Sequence, residues 1–101
     1  MPIFAVNMKH TPESCPMFNN EVRKRLKEVV GKRSIEEIRQ KYGVKVLSNY
    51  TSPLDHLIYA IVEAPSQQAV ESWAETGYAF WNNVEIKQVQ LFEDNMKKVL
   101  G

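Results

Sequence analysis

Two stretches of this chain, Ile3 to Met8 (IFAVNM) and Leu57 to Val62 (LIYAIV), carry apolar residues at both odd and even positions. Successive side chains of a strand point to opposite faces, so a strand built from either stretch is hydrophobic on both sides. A sheet containing them needs cover on two faces, and that requirement restricts the fold more than any other feature. The longest uninterrupted apolar run, Leu57 to Val62, is far short of the ~20 apolar residues that cross a bilayer. No membrane partner is expected.

The remaining elements follow from periodicity and punctuation. Residues Ile3 to Lys9 read as the first strand, and His10 to Pro16 (HTPESCP), bracketed by two prolines, as a loop. Asn19 or Asn20 is placed to cap a helix whose core stripe is Val22, Leu26, Val29 and Val30. Gly31, Lys32 and Arg33 interrupt it. Ser34 and Glu37 then form a capping box for a second helical piece containing Ile35, Ile38 and Tyr42, and Gly43 ends it. Val44 to Tyr50 and Leu57 to Glu63 read as a hairpin around Thr51 to Asp55. Pro65 and Ser66 open another helix, with Ala69, Val70, Trp73, Gly77 and Phe80 or Trp81 inward and an end near Asn82 and Asn83. Val84 to Leu91 is the last strand, and Asp94 is placed to cap a terminal turn with Met96, Val99 and Leu100.

This order is βαββαβ, with the first helical crossover in two pieces. Right-handed crossovers place the helices on one face of a four-stranded antiparallel sheet, with the first and third strands central. The two-faced strands are those two, so order and burial pattern agree. The predicted fold is therefore α+β and ferredoxin-like, a single domain over residues 1–101. Helices of the same chain shelter only one face. The other is expected to pair with a second copy in a twofold dimer, higher assembly being left open. Val89 and Leu91 are out of phase with Ile86, so a bulge, or a reach across to the partner, is expected at the end of the last strand.

With that order, with strand three running into a helix as Tyr59-Ala60-Ile61-Val62-Glu63-Ala64-Pro65-Ser66, and with a last strand of the Val84-Glu85-Ile86-Lys87 type, the chain resembles the dimeric α/β-barrel superfamily. Its small proteins include antibiotic-biosynthesis monooxygenases and muconolactone-isomerase-like enzymes. The resemblance spans nearly the whole chain. It implies that two sheets close into an α/β barrel and that a ligand pocket lies between sheet and helices, near the loop after strand one. It transfers no mechanism, because the motifs are structural.

The loop after strand one holds the best candidates for chemistry. His10, Glu13 and Cys15 stand within six positions, braced by Pro12 and Pro16. Imidazole and thiolate ligate zinc, nickel or copper, and Glu13 supplies an oxygen ligand or a base. The three are also the catalytic candidates. Cys15, just ahead of a helix whose dipole favours a thiolate, is either a nucleophile or ligand, or simply a small buried hydrophobe. A single His-x4-Cys pair lacks the second ligand pair of structural zinc motifs. His56 is the remaining imidazole and joins His10 only if the fold brings them together; otherwise it ends the hairpin. Asn7, Tyr50, Tyr59, Trp73 and Trp81 are the pocket candidates, and a buried Asn7 would need partners. Trp73, Tyr78, Phe80 and Trp81 at helical spacing also suit an ordinary core.

Charge and motifs exclude several classes. Thirteen Lys and Arg oppose twelve Asp and Glu, for a net charge of +1, too little to attract a polyanion, so no nucleic-acid partner is expected. The basic run Arg23-Lys24-Arg25 is answered by nearby glutamates and reads as a solvated helix face. No Gly-rich phosphate loop, Gly-x-Ser-x-Gly elbow or His-Glu-x-x-His pattern occurs. Met1-Pro2-Ile3 lacks the basic start of a secretory leader, and the lone cysteine suits a reducing compartment, so a cytoplasmic protein is expected. The leading reading is a small-molecule-binding or enzymatic dimeric barrel of unknown substrate and unknown cofactor. The alternatives are a transition-metal-binding protein using His10 and Cys15, with Glu13 or His56, and a structural or regulatory dimer without a ligand.

Overall fold

A computed structural model describes residues 1–32 and 35–101. Four strands, β1 (Ile3–Lys9), β2 (Lys45–Ser52), β3 (Leu57–Glu63) and β4 (Asn83–Val89), and helices α1 (Asn20–Lys32), α2 (Ile35–Tyr42), α3 (Gln67–Gly77) and α4 (Phe92–Leu100) follow in the order β1-α1-α2-β2-β3-α3-β4-α4. They form one antiparallel sheet in the order β2-β3-β1-β4, so the two-faced strands are central, as their composition requires. The fold is α+β with an open four-stranded sheet. None of the described helices is long and apolar enough to cross a membrane.

The core lies on one side of the sheet. Phe4, Val6 and Met8 of β1 and Ile58, Ala60 and Val62 of β3 pack against Ile38 of α2 and Val70, Trp73 and Ala74 of α3. Phe4, Val6, Met8, Val62 and Val70 are fully buried, each contributing about 1.5–3 kcal/mol. The alternate residues, Ile3, Ala5 and Asn7 of β1 and Tyr59 and Ile61 of β3, lie on the opposite, open face, where Asn7 and Tyr59 are exposed. The expectation that β1 is buried on both sides thus holds within this chain only for the helix-facing side.

Helix ends follow local chemistry. The Asn19 side chain accepts the Val22 amide at 2.9 Å and donates to the Glu13 carbonyl at 2.8 Å, capping α1 and pinning the preceding loop. The Ser66 hydroxyl caps α3 by accepting the Ala69 amide at 3.2 Å. Gly43, at φ +69°, makes the left-handed turn that ends α2, where any Cβ would be strained and would lie 3.5 Å from Pro65. Arg33 and Ser34 lie outside the described residues, and with them the expected Ser34–Glu37 capping box, as does the Val30 side chain.

Several expectations are corrected. The bulge is in β2, where Val46 pairs with Val62 but Ser48 with Ile61, leaving Leu47 extra. β4 stays in register with β1 to its end, Val89 opposite Ile3, and so puts Glu85, Lys87 and Val89 on the open face. The phase mismatch read at Val89 is no bulge: a strand covered on one side tolerates an apolar residue on the other. α3 stops at Gly77, and residues Tyr78 to Asn82 form a turn held by the Tyr78 and Ala79 amides on the Ala74 carbonyl. The terminal turn is a nine-residue helix entered at Leu91, with Asp94 inside its first turn rather than at its cap.

Candidate metal centre

Antiparallel pairing of β1 with β3 and β4 brings three chain connections to one end of the sheet. The loop leaving β1, the hairpin turn entering β3 and the turn entering β4 meet there. His10, Cys15 and His56 come from the first two, and Trp81 and Asn82 from the third. The ladder continues into the site, for the His10 amide donates to the His56 carbonyl at 3.1 Å. His56 itself has φ +54°, left-handed backbone that a non-glycine side chain adopts at a cost of about 1–2 kcal/mol. That backbone ends the Pro53–Asp55 turn and puts the imidazole beside His10.

One ligand atom from each of His10, Cys15 and His56 lies within 4.8 Å of the other two. His10 Nε2 and His56 Nδ1 are 3.3 Å apart. Two nitrogens each bound at ~2.0–2.1 Å to one tetrahedral ion stand about 3.3 Å from each other, so the imidazoles already have the spacing such an ion requires. Cys15 is buried and is the single thiol of the chain. A sulfur bound at ~2.3 Å would stand about 3.6 Å from each nitrogen, so an inward shift of at most about 1.2 Å from the 4.8 Å limit completes three ligands. Among the described residues, no carboxylate joins the group, which leaves a fourth position of a tetrahedral ion to water or another small ligand.

The surroundings orient these donors. Asn82 is buried, and its Nδ2 donates to the Tyr78 carbonyl at 3.1 Å, so its Oδ1 accepts from His10 Nδ1 at 2.9 Å. This arrangement puts the His10 proton on Nδ1 and the lone pair on Nε2, toward His56 and Cys15. The Trp81 ring packs over His10 with centroids 4.9 Å apart, and the Phe18 ring lies 6.4 Å from that of His56. The Ser14 hydroxyl ties the loop to the Trp81 carbonyl at 3.3 Å. Arg23 donates to the carbonyls of Pro16 and Met17, fixing the loop to α1 from its other side.

The remaining candidates fall into two groups. Glu13 is exposed and outside the cluster; it serves the fold through its backbone carbonyl. Asn7, Tyr50 and Tyr59 are exposed on the open face, away from the helices. Trp73 and Trp81 do line a cavity of about 210 Å³, with Leu26, Val29, Ile35 and Ile38 among its other walls. It lies within the helical layer, and Trp81 forms its boundary with His10. Phe80 instead lies under the Arg25 guanidinium, 4.3 Å from the ring centre. Near the same cavity, burial raises the Tyr78 phenol above its usual 10.0, against the lowering effects of Arg39 and of a hydrogen bond with Asn49. Asn82 was missed as a functional residue, since Asn82-Asn83 reads as an ordinary helix end.

No family model matches the chain, and no curated protein is similar to it in sequence. Among solved structures, SCO4226 from Streptomyces coelicolor A3(2) is similar at a TM-score of 0.55 and 16% identity, over 87% of this chain and 96% of that one. A candidate transposase from Deinococcus radiodurans R1 is more distant, with a TM-score of 0.48 and 11% identity over 99% of this chain and 88% of its own, too remote to bear on fold or function. The first likeness defines the class of the chain: a small α+β protein built on a four-stranded antiparallel sheet.

Proposed function

We propose that this protein binds one late first-row transition ion through His10 Nε2, His56 Nδ1 and Cys15 Sγ. The observation that carries the reading is the convergence of two imidazoles and the only thiol from separate connections, one imidazole being oriented by a buried asparagine. Mixed nitrogen and sulfur donors suit zinc, cobalt, nickel or copper rather than magnesium or calcium, which prefer oxygen. Three protein ligands with a vacant fourth position suit exchange or catalysis better than a closed structural site. Elemental analysis of protein purified without an affinity tag tests it, followed by titration of the stripped protein. One equivalent per chain is expected; no transition metal as purified and no uptake on titration would remove the reading.

A small-molecule ligand is the second reading, supported by the apolar cavity behind Trp81. A ligand there would contact the same tryptophan that packs on His10, so the two readings describe neighbouring sites. The protein is further proposed to act as a twofold dimer through the open face of the sheet. Ile3, Ala5, Ile61 and Tyr59 give that face an apolar centre, and Lys45, Glu63, Glu85 and Lys87 supply both signs of charge around it.

A further inference from the structure

Helix α4 has a hydrophobic face that is not buried against the described residues. Phe92, Met96, Val99 and Leu100 recur at i, i+4, i+7 and i+8, which places them on one side, yet none of the nine residues is buried. Phe92, Val99 and Leu100 are 70%, 67% and 83% exposed. The molecule is also elongated. Its principal extents are 54 × 30 × 17 Å and its Cα radius of gyration is 15.2 Å, against about 13 Å for a compact chain of this length. The segment is nonetheless organised: Gln90 donates to Asn95 at 3.1 Å and accepts from Lys98 at 3.5 Å, bracing the connection from β4 to the helix.

We propose that α4 is an arm exchanged between two copies of this chain, its apolar face lying against the rim of the partner's open sheet, beside the contact between the two sheets. The proposal rests on the dimer reading above and adds the arm to it. Each chain offers one arm and one sheet rim to receive it, so a twofold axis satisfies both in both copies and closes the assembly. Area points the same way. Four strands of seven or eight residues present about 19 × 23 Å, roughly 450 Å² in flat projection, a small sheet for a stable interface, which buries about 800 Å² of accessible surface per partner. A nine-residue helix about 14 Å long and about 10 Å across adds about 140 Å² of projected contact to it. Geometry fits as well, since β4 ends at Val89 opposite Ile3, and α4 therefore leaves from the rim of the open face. The Glu93 and Asp94 turn and the Lys97 and Lys98 turn of the arm match a rim that carries both charges.

Sedimentation equilibrium on the full chain tests this, with the arm variant Met96→Glu/Leu100→Glu beside the wild type. Because α4 is outside the core, the variant should keep its far-ultraviolet circular dichroism and its metal uptake while its dimer dissociation constant rises at least about tenfold. The sheet variant Ile61→Glu should weaken the dimer similarly. A dimer in which the arm variant dissociates less than tenfold more readily overturns the arm and leaves the face-to-face dimer standing. A wild type that stays monomeric at micromolar concentration overturns both, and co-sedimentation of that monomer with phosphatidylserine vesicles would assign the helix to a lipid surface instead.

Discussion

The two ends of the central strand pair are finished differently. Where β1 leaves and β3 enters, the chain closes its own structure: His10 and His56 face each other, Asn82 holds one of them, and Trp81 covers it. At the other end, Ile3 and Val89 pair at the rim, and the chain runs on into α4, whose apolar side is left unburied among the described residues. The difference separates polar from apolar demands. Half-buried polar groups must find partners locally because each unsatisfied one is costly, whereas apolar area is non-directional and a second molecule covers it equally well.

This contrast can be broken or sharpened by substitution. The largest effect should come from the covered face: Phe4→Ala should destabilise the protein by about 3–5 kcal/mol in denaturant titration, while Leu100→Ala, on the unpartnered helix, should stay within about 0.5 kcal/mol under monomeric conditions. Comparable losses would mean that α4 already packs on its own body. Next, His56→Ala should weaken metal binding about a hundredfold or more, and Asn82→Ala about 10- to 100-fold by releasing the His10 ring. Equal affinity for Asn82→Ala and the wild type would show that the asparagine does not orient the ligand.

A smaller effect distinguishes backbone from side chain at the closed end. His56→Gly relieves a left-handed residue and should leave the metal-free protein as stable as the wild type or up to about 1 kcal/mol more so, yet abolish its share of metal binding. A destabilised glycine variant would show that the imidazole supports the fold. The smallest effect is a pH dependence. Because burial raises the Tyr78 phenol in the folded state, the unfolded chain ionises first as pH rises through about 10. Its contribution is complete below that value and is lost above it. Wild-type stability should therefore fall more steeply than that of Tyr78→Phe between neutral and strongly alkaline pH, and parallel curves would remove the effect.

Much of the fold was legible in the sequence because its signals are local or periodic. The apolar parity of Ile3–Met8 and Leu57–Val62 placed β1 and β3 centrally, and Asn19 and Ser66 marked their helix starts. The bulge at Leu47 was not, since nothing in Val44 to Tyr50 distinguishes one extra residue from alternation. Nor was the helical state of Phe92 to Leu100, whose apolar face is not buried against the described residues. The site was half legible. His10 and Cys15 share a loop, but His56 is 46 residues from His10 and joins it only through the β1–β3 register. Asn82, 72 residues away, needed the neighbouring β4 register as well.

The account turns on three donors sharing one ion, and cobalt(II) reports that directly. Titrated into reduced, tag-free protein, it should develop the intense visible bands of a tetrahedral ion and a sulfur-to-cobalt absorption in the near ultraviolet. Both should saturate at one equivalent per chain, with the sulfur absorption absent from Cys15→Ser. A spectrum that remains that of the hydrated ion throughout the titration would contradict the proposed centre.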